Sequence, residues 1–179
     1  MFLSEPMDVT KYGVLWGGVQ KNVGPAGVTM VVIREDLIRE DVLPGTPTML
    51  RYKTHADAKS LYNTPPCYNI YVCGLVFKWL KEMGGLQVMK ERNEKKAKLL
   101  YDYLDQSKLF HGTVVPKDRS LMNIPFVTGD AELDAKFIAE ASAAGFKNLK
   151  GHRTVGGMRA SLYNAMPEEG VVKLVEFMD

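Results

Sequence analysis

A glycine-rich segment decides the fold assignment: residues 18–27 read GVQKNVGPAG. Two short β-prone runs flank this segment, Tyr12–Trp16 before it and Val28–Ile33 after it. The second run is continuous and rich in β-branched residues, which is typical of a strand that is buried on both faces. The sequence therefore predicts two strands joined by a glycine-rich loop that carries Lys21.

Lys21 is the first candidate for a chemical role. A nucleophilic lysine needs a lowered pKa, which burial and nearby backbone dipoles can supply. The commoner alternative is a loop lysine in water, because lysine is rarely buried. A phosphate-binding loop is excluded, since that pattern needs glycine before the lysine and serine or threonine after it, whereas Gln20 and Asn22 stand there. Taken alone, the segment leaves the role of Lys21 open.

Beyond Ile33 the sequence is first irregular and then helical. Residues 34–66 contain repeated prolines and are read as a long loop that carries a site or meets a partner. Apolar spacing from Val72 to Met83 predicts an amphipathic helix that ends at Gly84-Gly85, and spacing from Leu86 to Leu104 predicts a second one with a solvated charged face. The other predicted elements are strands at Leu121–Val127 and Met158–Tyr163 and helices at Asp130–Ala144 and Val171–Met178.

Composition and charge exclude several classes of function. The 179 residues are 46% hydrophobic and 25% charged, as in ordinary globular domains, so disorder is excluded. A net charge of +2 gives no electrostatic case for binding nucleic acid or an acidic membrane. The longest apolar stretch, Ile70–Phe77, is far too short to cross a bilayer, and the first residues do not resemble a signal peptide. Cys67 and Cys73 match neither a disulfide framework nor a zinc motif, so we expect a cytoplasmic protein without a metal site.

Two further segments have the composition of anion-binding sites. The run Asn63-Thr64-Pro65-Pro66 predicts a rigid turn that presents an amide, a hydroxyl and backbone N–H groups. Gly151-His152-Arg153 and Gly156-Gly157-Met158-Arg159 place two arginines and a histidine in a glycine-rich stretch, which suits capture of phosphate or carboxylate. A plain turn and a basic surface loop are the alternatives. His55 and His111 lack partners at metal-ligand spacing and are read as structural.

Together these segments resemble the phosphoserine aminotransferases, pyridoxal-phosphate enzymes of fold type I. The glycine-rich segment around Lys21 resembles the family's cofactor-lysine segment, and the Gly-His-Arg run is also specific to this family. The resemblance spans nearly the whole chain in the family's order. Its other parts are Phe2-Leu3-Ser4, Ser60–Pro66, Met122–Phe126, Leu149–Arg153 and Gly156–Met166.

The resemblance implies an α/β fold, the C-terminal part of a fold type I transferase. Residues 1–68 would form the end of the large, mainly parallel-sheet domain with the cofactor lysine. Residues 69–179 would form a linking helix and the small α/β domain. The family aspartate that pairs with the pyridine nitrogen would fall just before Met1. The chain would therefore carry only part of the active site, and we expect the chain alone to be inactive.

The resemblance also implies which residues hold the cofactor, pyridoxal 5'-phosphate. Lys21 would form the Schiff base and then move the proton to and from the substrate Cα. Gln20 would lie beside the cofactor ring. Asn63 and Thr64 would hold the cofactor phosphate in the neighbouring subunit's site, so that a homodimer shares its active sites.

The implied substrates are small phosphorylated and dicarboxylic molecules. Arg159 would clamp the α-carboxylate, and His152 and Arg153 would bind the substrate phosphate. The reaction would convert O-phospho-L-serine and 2-oxoglutarate into 3-phosphooxypyruvate and L-glutamate in serine biosynthesis, with a second role in pyridoxine synthesis in many bacteria. One alternative is another fold type I enzyme, such as an alanine–glyoxylate aminotransferase or a cysteine desulfurase, whose substrates carry no phosphate. The other is a truncated, non-catalytic module.

Overall fold

The computed structural model describes residues 1–179, which form two compact units. The first unit comprises Phe2 and Pro6–Glu82, and the second comprises Met1, Leu3–Glu5 and Met83–Asp179. The division falls after Glu82, because the helix at residues 67–82 packs within the first unit, where Asn69 Nδ2 donates a hydrogen bond to the Ala26 carbonyl. The domain boundary expected between residues 68 and 69 stays a prediction.

The first unit contains a two-stranded antiparallel sheet, a long irregular segment and two helices. Strands β1 (Val14–Gly18) and β2 (Thr29–Ile33) pair so that Val14 lies opposite Ile33 and Gly18 opposite Thr29. Between β2 and the main helix, the chain forms only 3₁₀ turns at Glu35–Leu37 and Thr48–Leu50 and helix α1 (Tyr52–Asp57), close to the predicted long loop. Helix α2 (Cys67–Glu82) completes the unit.

The prediction that β2 is buried on both faces is wrong for this structure. Val31 and Val32 are 45% and 48% exposed, although they project to opposite faces of the strand. The reason is that β2 belongs to a sheet of only two strands, in which it pairs with β1 alone. A continuous β-branched run thus identified the strand but not its surroundings.

Helix α2 confirms the predicted helix, but only some of the residues in its predicted apolar stripe are buried. It begins after Pro65-Pro66 and ends before Gly84, whose φ of 98° lies in the left-handed region that favours glycine. Leu80 is buried as expected, whereas Leu75 is 44% exposed. Cys73, which lies outside the predicted stripe, is buried instead.

The second unit is an antiparallel sheet packed against helices. Its elements are α3 (Gly85–Gln106), β3 (His111–Gly112), β4 (Asn123–Val127), α4 (Ala131–Ala143), β5 (Met158–Ser161) and α5 (Glu168–Met178). The sheet has the order β3-β4-β5, with His111 opposite Val127 and Phe126 opposite Met158. Helix α4 begins after Asp130, whose carboxylate caps it by accepting hydrogen bonds from the backbone N–H groups of Glu132 and Leu133.

The main hydrophobic core lies on one face of this sheet. Alternate residues of β4 and β5 are buried, as a period of two requires, while Arg159 and Ser161 project to the other face. Phe110, Phe126 and Phe137 pack edge to face, with ring centroids 4.9–6.1 Å apart. Helix α3 contributes Ala97, Leu100, Tyr101 and Leu104 to this core, and α5 contributes Val171, Leu174 and Met178. No helix of the structure has the length and apolarity that a membrane span requires.

Candidate active site

The glycine-rich segment forms a tight turn that presents Lys21. The backbone N–H groups of Val23 and Gly24 both donate to the Val19 carbonyl, at 3.2 and 2.9 Å, and the Val19 N–H donates to Val28 at 3.0 Å. Val19 and Val23 are almost fully buried and anchor the turn in the first unit. Lys21 lies between these anchors with its side chain exposed.

The backbone of Lys21 adopts a conformation that is unusual for a residue with a side chain. Its φ angle is 88°, in the left-handed region, and such residues cost on the order of 1–3 kcal/mol. The hydrogen bonds that close the turn hold this conformation in place. Strain of this kind is concentrated at functional sites, so it supports a specific role for Lys21.

Asn22 is a supporting residue that the sequence analysis missed. It is buried beneath the turn, and its Nδ2 donates to the Phe2 carbonyl at 3.3 Å. The ring of Phe2 packs so closely on Gly17 that a Cβ there would collide with it. The only available signal was the asparagine itself, since its partner lies 20 positions earlier in the chain.

Helix α2 packs directly against the other end of the turn. Asn69 holds the Ala26 carbonyl, as described above, and Cys73 Sγ would lie 2.8 Å from a Cβ placed on Gly24. Real Cβ atoms do not approach a neighbour that closely, so a side chain at residue 24 would force Cys73 or the turn to shift. Both ends of the turn are therefore fixed by close contacts, and the exposed Lys21 side chain is left as the part that can move.

Asn63 and Thr64 lie in a different part of the first unit. Both are exposed, and Asn63 Nδ2 donates to the Thr64 carbonyl at 3.2 Å. Asn63 lines an open cavity of about 1050 Å³, together with Trp16, His55 and Ile70. Neither Gln20 nor Lys21 lines this cavity. The structure therefore does not bring Asn63 into one pocket with the lysine of the same chain.

His152 and Arg153 lie in a closed loop before β5. The Gly151 N–H donates to the Gly157 carbonyl and the Gly156 N–H to the His152 carbonyl, both at 2.8 Å. His152 Nδ1 lies 2.7 Å from Thr154 Oγ1, and the side chains of His152 and Arg153 are exposed. The loop thus presents a guanidinium and an imidazole to solvent on a closed backbone frame.

Arg159 lies in the strand that follows this loop and has a different environment. It is the second residue of β5, on the sheet face opposite the core, and its backbone N–H donates to the Leu149 carbonyl at 2.7 Å. Its side-chain Nε is buried and has no hydrogen-bond partner. A buried donor without an acceptor is costly, so a bound anion with two oxygens would satisfy this guanidinium.

The predicted site residues therefore fall into three groups. Gln20 and Lys21 share the first unit's turn, Asn63 and Thr64 lie in the loop before α2, and the second unit carries His152, Arg153 and Arg159. His55 Nε2 lies 2.9 Å from the Met49 carbonyl oxygen. No cluster of histidine, cysteine and carboxylate side chains could hold a metal ion.

Comparison with known proteins identifies the family. A phosphoserine aminotransferase from Nitrosomonas europaea is 58% identical over 177 residues, which is 99% of this chain and 48% of that protein. The structure of phosphoserine aminotransferase from Bacillus circulans subsp. alkalophilus matches 99% of the chain with a TM-score of 0.95 and 48% identity. The pyridoxal-phosphate-bound phosphoserine aminotransferase from Trichomonas vaginalis does so with a TM-score of 0.93 and 40% identity.

The extent of these matches is also informative. The chain spans about half the length of the relatives, 49% of the Bacillus structure and 51% of the Trichomonas structure. The structural agreement confirms the predicted α/β fold type I architecture. Residues 1–174 match the model of the family "Aminotransferase class-V". The chain therefore belongs to the class-V aminotransferase family.

Proposed function

We propose that this chain contributes to a phosphoserine aminotransferase, which converts O-phospho-L-serine and 2-oxoglutarate into 3-phosphooxypyruvate and L-glutamate in serine biosynthesis. The similarity to phosphoserine aminotransferases over 99% of the chain carries the proposal. The geometry of the turn and of the anion-binding residues supports it. The roles proposed for individual residues are those that the resemblance to phosphoserine aminotransferases implies.

Lys21 would attach covalently to pyridoxal 5'-phosphate through its Nζ. Two properties of Lys21 fit this role: backbone hydrogen bonds close the turn that carries it, and its side chain is exposed. When bound, the cofactor supplies a conjugated ring that accepts electrons from the substrate. Lys21 Nζ would then take the proton from the substrate Cα and return it. Gln20, its exposed neighbour, would lie beside the ring.

Arg159 would bind the substrate α-carboxylate, and His152 and Arg153 would bind the phosphate. The buried, unpaired Nε of Arg159 is suited to a planar two-oxygen anion. The side chains of Arg153 and His152 are exposed to solvent, where they would be available to bind a substrate phosphate. This division of labour would separate phosphoserine from ordinary amino acids. The same phosphate contacts would serve a related phosphorylated substrate in pyridoxine synthesis.

Asn63 and Thr64 would hold the cofactor phosphate of the neighbouring subunit in a homodimer. Asn63 lines an open cavity whose lining does not include Lys21, which is compatible with a role in a different site from that of its own chain's lysine. The first unit also exposes large apolar side chains, including Trp16 (71%) and Tyr68 (74%), and such surfaces mark contacts with other chains. The proposal further assigns residues 1–68 to the large cofactor domain and residues 69–179 to the linking helix and the small domain. Two cysteines without a disulfide support a cytoplasmic location.

The covalent role of Lys21 can be tested directly. The chain is incubated with substoichiometric pyridoxal phosphate and reduced with borohydride, and the modified lysine is located by peptide mapping. We expect label mainly on the peptide that contains Lys21, and the Lys21→Arg chain is the control. Preferential labelling of another exposed lysine, such as Lys59 or Lys78, would remove the basis for the assignment.

Substrate preference separates this function from its alternatives. Another fold type I enzyme would transfer amino groups without requiring a substrate phosphate, and a non-catalytic module would bind no substrate. The measurement is calorimetric binding of O-phospho-L-serine and of L-serine to the chain. We expect phosphoserine to bind more tightly, whereas equal binding would favour an enzyme with an unphosphorylated substrate.

A further inference from the structure

Helix α3 carries two buried polar residues on its otherwise apolar inner face. Asn93 is fully buried and Lys96 is 2% exposed, between the buried Met89 and Leu100. The neighbouring charged residues, by contrast, behave as the sequence predicted and face solvent, for example Lys98, which pairs with Asp102. Lys96 is therefore an exception in the charged run of this helix.

The Lys96 ammonium group is surrounded by backbone carbonyls. Its Nζ donates to Tyr163 at 2.8 Å, to Met166 at 3.0 Å and to Leu162 at 3.4 Å. An ammonium group has three donors, so these partners saturate it. Burial, reinforced by the charge of Arg92, lowers the pKa of Lys96 to about 8.

Asn93 extends the same cluster. Its Nδ2 donates to Asn164 Oδ1 at 2.9 Å and to the Ser4 carbonyl at 3.0 Å, and Asn164 Nδ2 donates to the Leu3 carbonyl at 2.8 Å. A buried charge held only by carbonyls contributes little stability compared with a packed apolar side chain. What the cluster does supply is a fixed position for the turn at residues 162–166.

This turn directly follows the strand that carries Arg159. Strand β5 pairs with β4 on one side and bridges to Lys150 at Met158 on the other, and the Leu162 N–H continues the pairing with β4 by donating to the Met122 carbonyl at 2.7 Å. A slip of one residue in β5 would exchange the buried Ala160 side with the Arg159 side. A contact that holds the chain at residue 162 therefore prevents the slip that would turn Arg159 into the core.

We infer that Lys96 is a positioning residue for Arg159. By binding the carbonyls of Leu162, Tyr163 and Met166 it fixes the register of β5, and so it orients the guanidinium on the opposite face of the sheet. The functional meaning of this inference rests on the proposed role of Arg159 as the carboxylate clamp.

The test uses the side-chain Nε–H signal of Arg159 in the ¹⁵N NMR spectrum of the full chain near neutral pH. The signal is identified by its loss in Arg159→Lys. In the wild type we expect a signal that exchanges slowly with water, because Nε is buried. Lys96→Met should move this signal to the position of exposed arginines, and it should weaken 2-oxoglutarate binding by about tenfold, the equivalent of 1.4 kcal/mol. Lys98→Met, on the exposed face of the same helix, should change neither.

The outcomes distinguish this inference from the proposed function. If 2-oxoglutarate fails to shift the Arg159 signal of the wild type, the carboxylate role is wrong, but the position of the signal still tests Lys96. An Arg159 signal that is unchanged in folded Lys96→Met overturns the inference. If that variant does not fold, Lys96→Gln keeps two donors and should shift the signal less in the same direction. Failure of both variants to fold would also overturn the inference, because Lys96 would then be required for folding and not specifically for positioning Arg159.

Discussion

Arg153 and Arg159 differ in their surroundings, and this difference predicts different effects on substrates. Arg153 is exposed in the loop, whereas Arg159 has a buried Nε without a hydrogen-bond acceptor. Arg159→Ala should weaken phosphoserine and glutamate alike, by about 2–5 kcal/mol, because both substrates carry an α-carboxylate. Arg153→Ala should weaken phosphoserine selectively. Binding calorimetry with both ligands measures this, with exposed Lys150→Ala as the control. Equal losses for the two ligands in Arg153→Ala would assign the phosphate to another residue.

The buried Lys96 predicts a characteristic pH dependence of stability. Its pKa in the folded chain is about 8, against an ordinary value of 10.5. Between these values the unfolded chain binds more protons, so the contribution of Lys96 to the free energy of unfolding rises with pH. The free energy of unfolding of the wild type should therefore rise relative to that of Lys96→Met as the pH goes from about 8 to about 10.5. Urea titrations across this range measure it, and a constant difference would contradict the prediction.

The sequence predicted the loop that carries Lys21 but not the environment of its residues. The turn that presents Lys21 was expected, but its left-handed φ and the buried Asn22 depend on packing with Phe2. Lys96 could not have been found, because the carbonyls that hold it lie 66–70 positions later in the chain. The assigned roles of Lys21 and Arg159 in the reaction stay predictions.

At the scale of elements, the contact between the turn and helix α2 predicts a specific steric coupling. Gly24→Ala should destabilise the chain by about 1–3 kcal/mol, because its Cβ would meet Cys73 Sγ at 2.8 Å. Cys73→Ala should relieve part of this cost, so the two changes should be less than additive in a double-mutant cycle. Gly74→Ala is a suitable control, since no atom lies within 4 Å of its Cβ. Fully additive losses of unfolding free energy would show that the two residues are not sterically coupled.

The N-cap of α4 predicts a smaller effect. The Asp130 carboxylate accepts from the N–H groups of Glu132 and Leu133 at 2.7 and 3.1 Å. Asp130→Ala should lower the free energy of unfolding by about 1 kcal/mol, while Asp130→Asn keeps an acceptor and should cost less. Urea unfolding should show a lower midpoint with an unchanged slope. Equal stability of all three chains would mean that this cap contributes nothing.

The elements were easier to predict than their packing. Strands β4 and β5 and helices α3, α4 and α5 lie within a few residues of their predicted bounds, because apolar spacing and caps are local signals. The exposure of Val31 in β2 and of Leu75 in α2 was not foreseen. Periodicity shows which side chains share a face, but only neighbouring elements determine whether that face is covered.

For the whole molecule, the two units should differ in stability. The main core lies entirely in the second unit, whereas the first unit has a two-stranded sheet with exposed apolar residues. Two strands alone are marginally stable in water. Hydrogen exchange should therefore be slowest in α3 and β4 and faster in β1 and β2. Exchange in β1 and β2 as slow as in β4 would indicate that both units unfold together.

The short stretch Leu3–Glu5 has a consequence for how this protein can be divided. It belongs to the second unit, and its Leu3 and Ser4 carbonyls are bound by Asn164 and Asn93, but the residues on both sides of it belong to the first. The second unit is thus a discontinuous domain that is interrupted by an insertion of nearly eighty residues, Pro6–Glu82. A gene segment that encodes only Met83–Asp179 would lack the Leu3 and Ser4 carbonyls, so recombination of that segment alone would transfer this unit without two of the hydrogen bonds that its buried asparagines make.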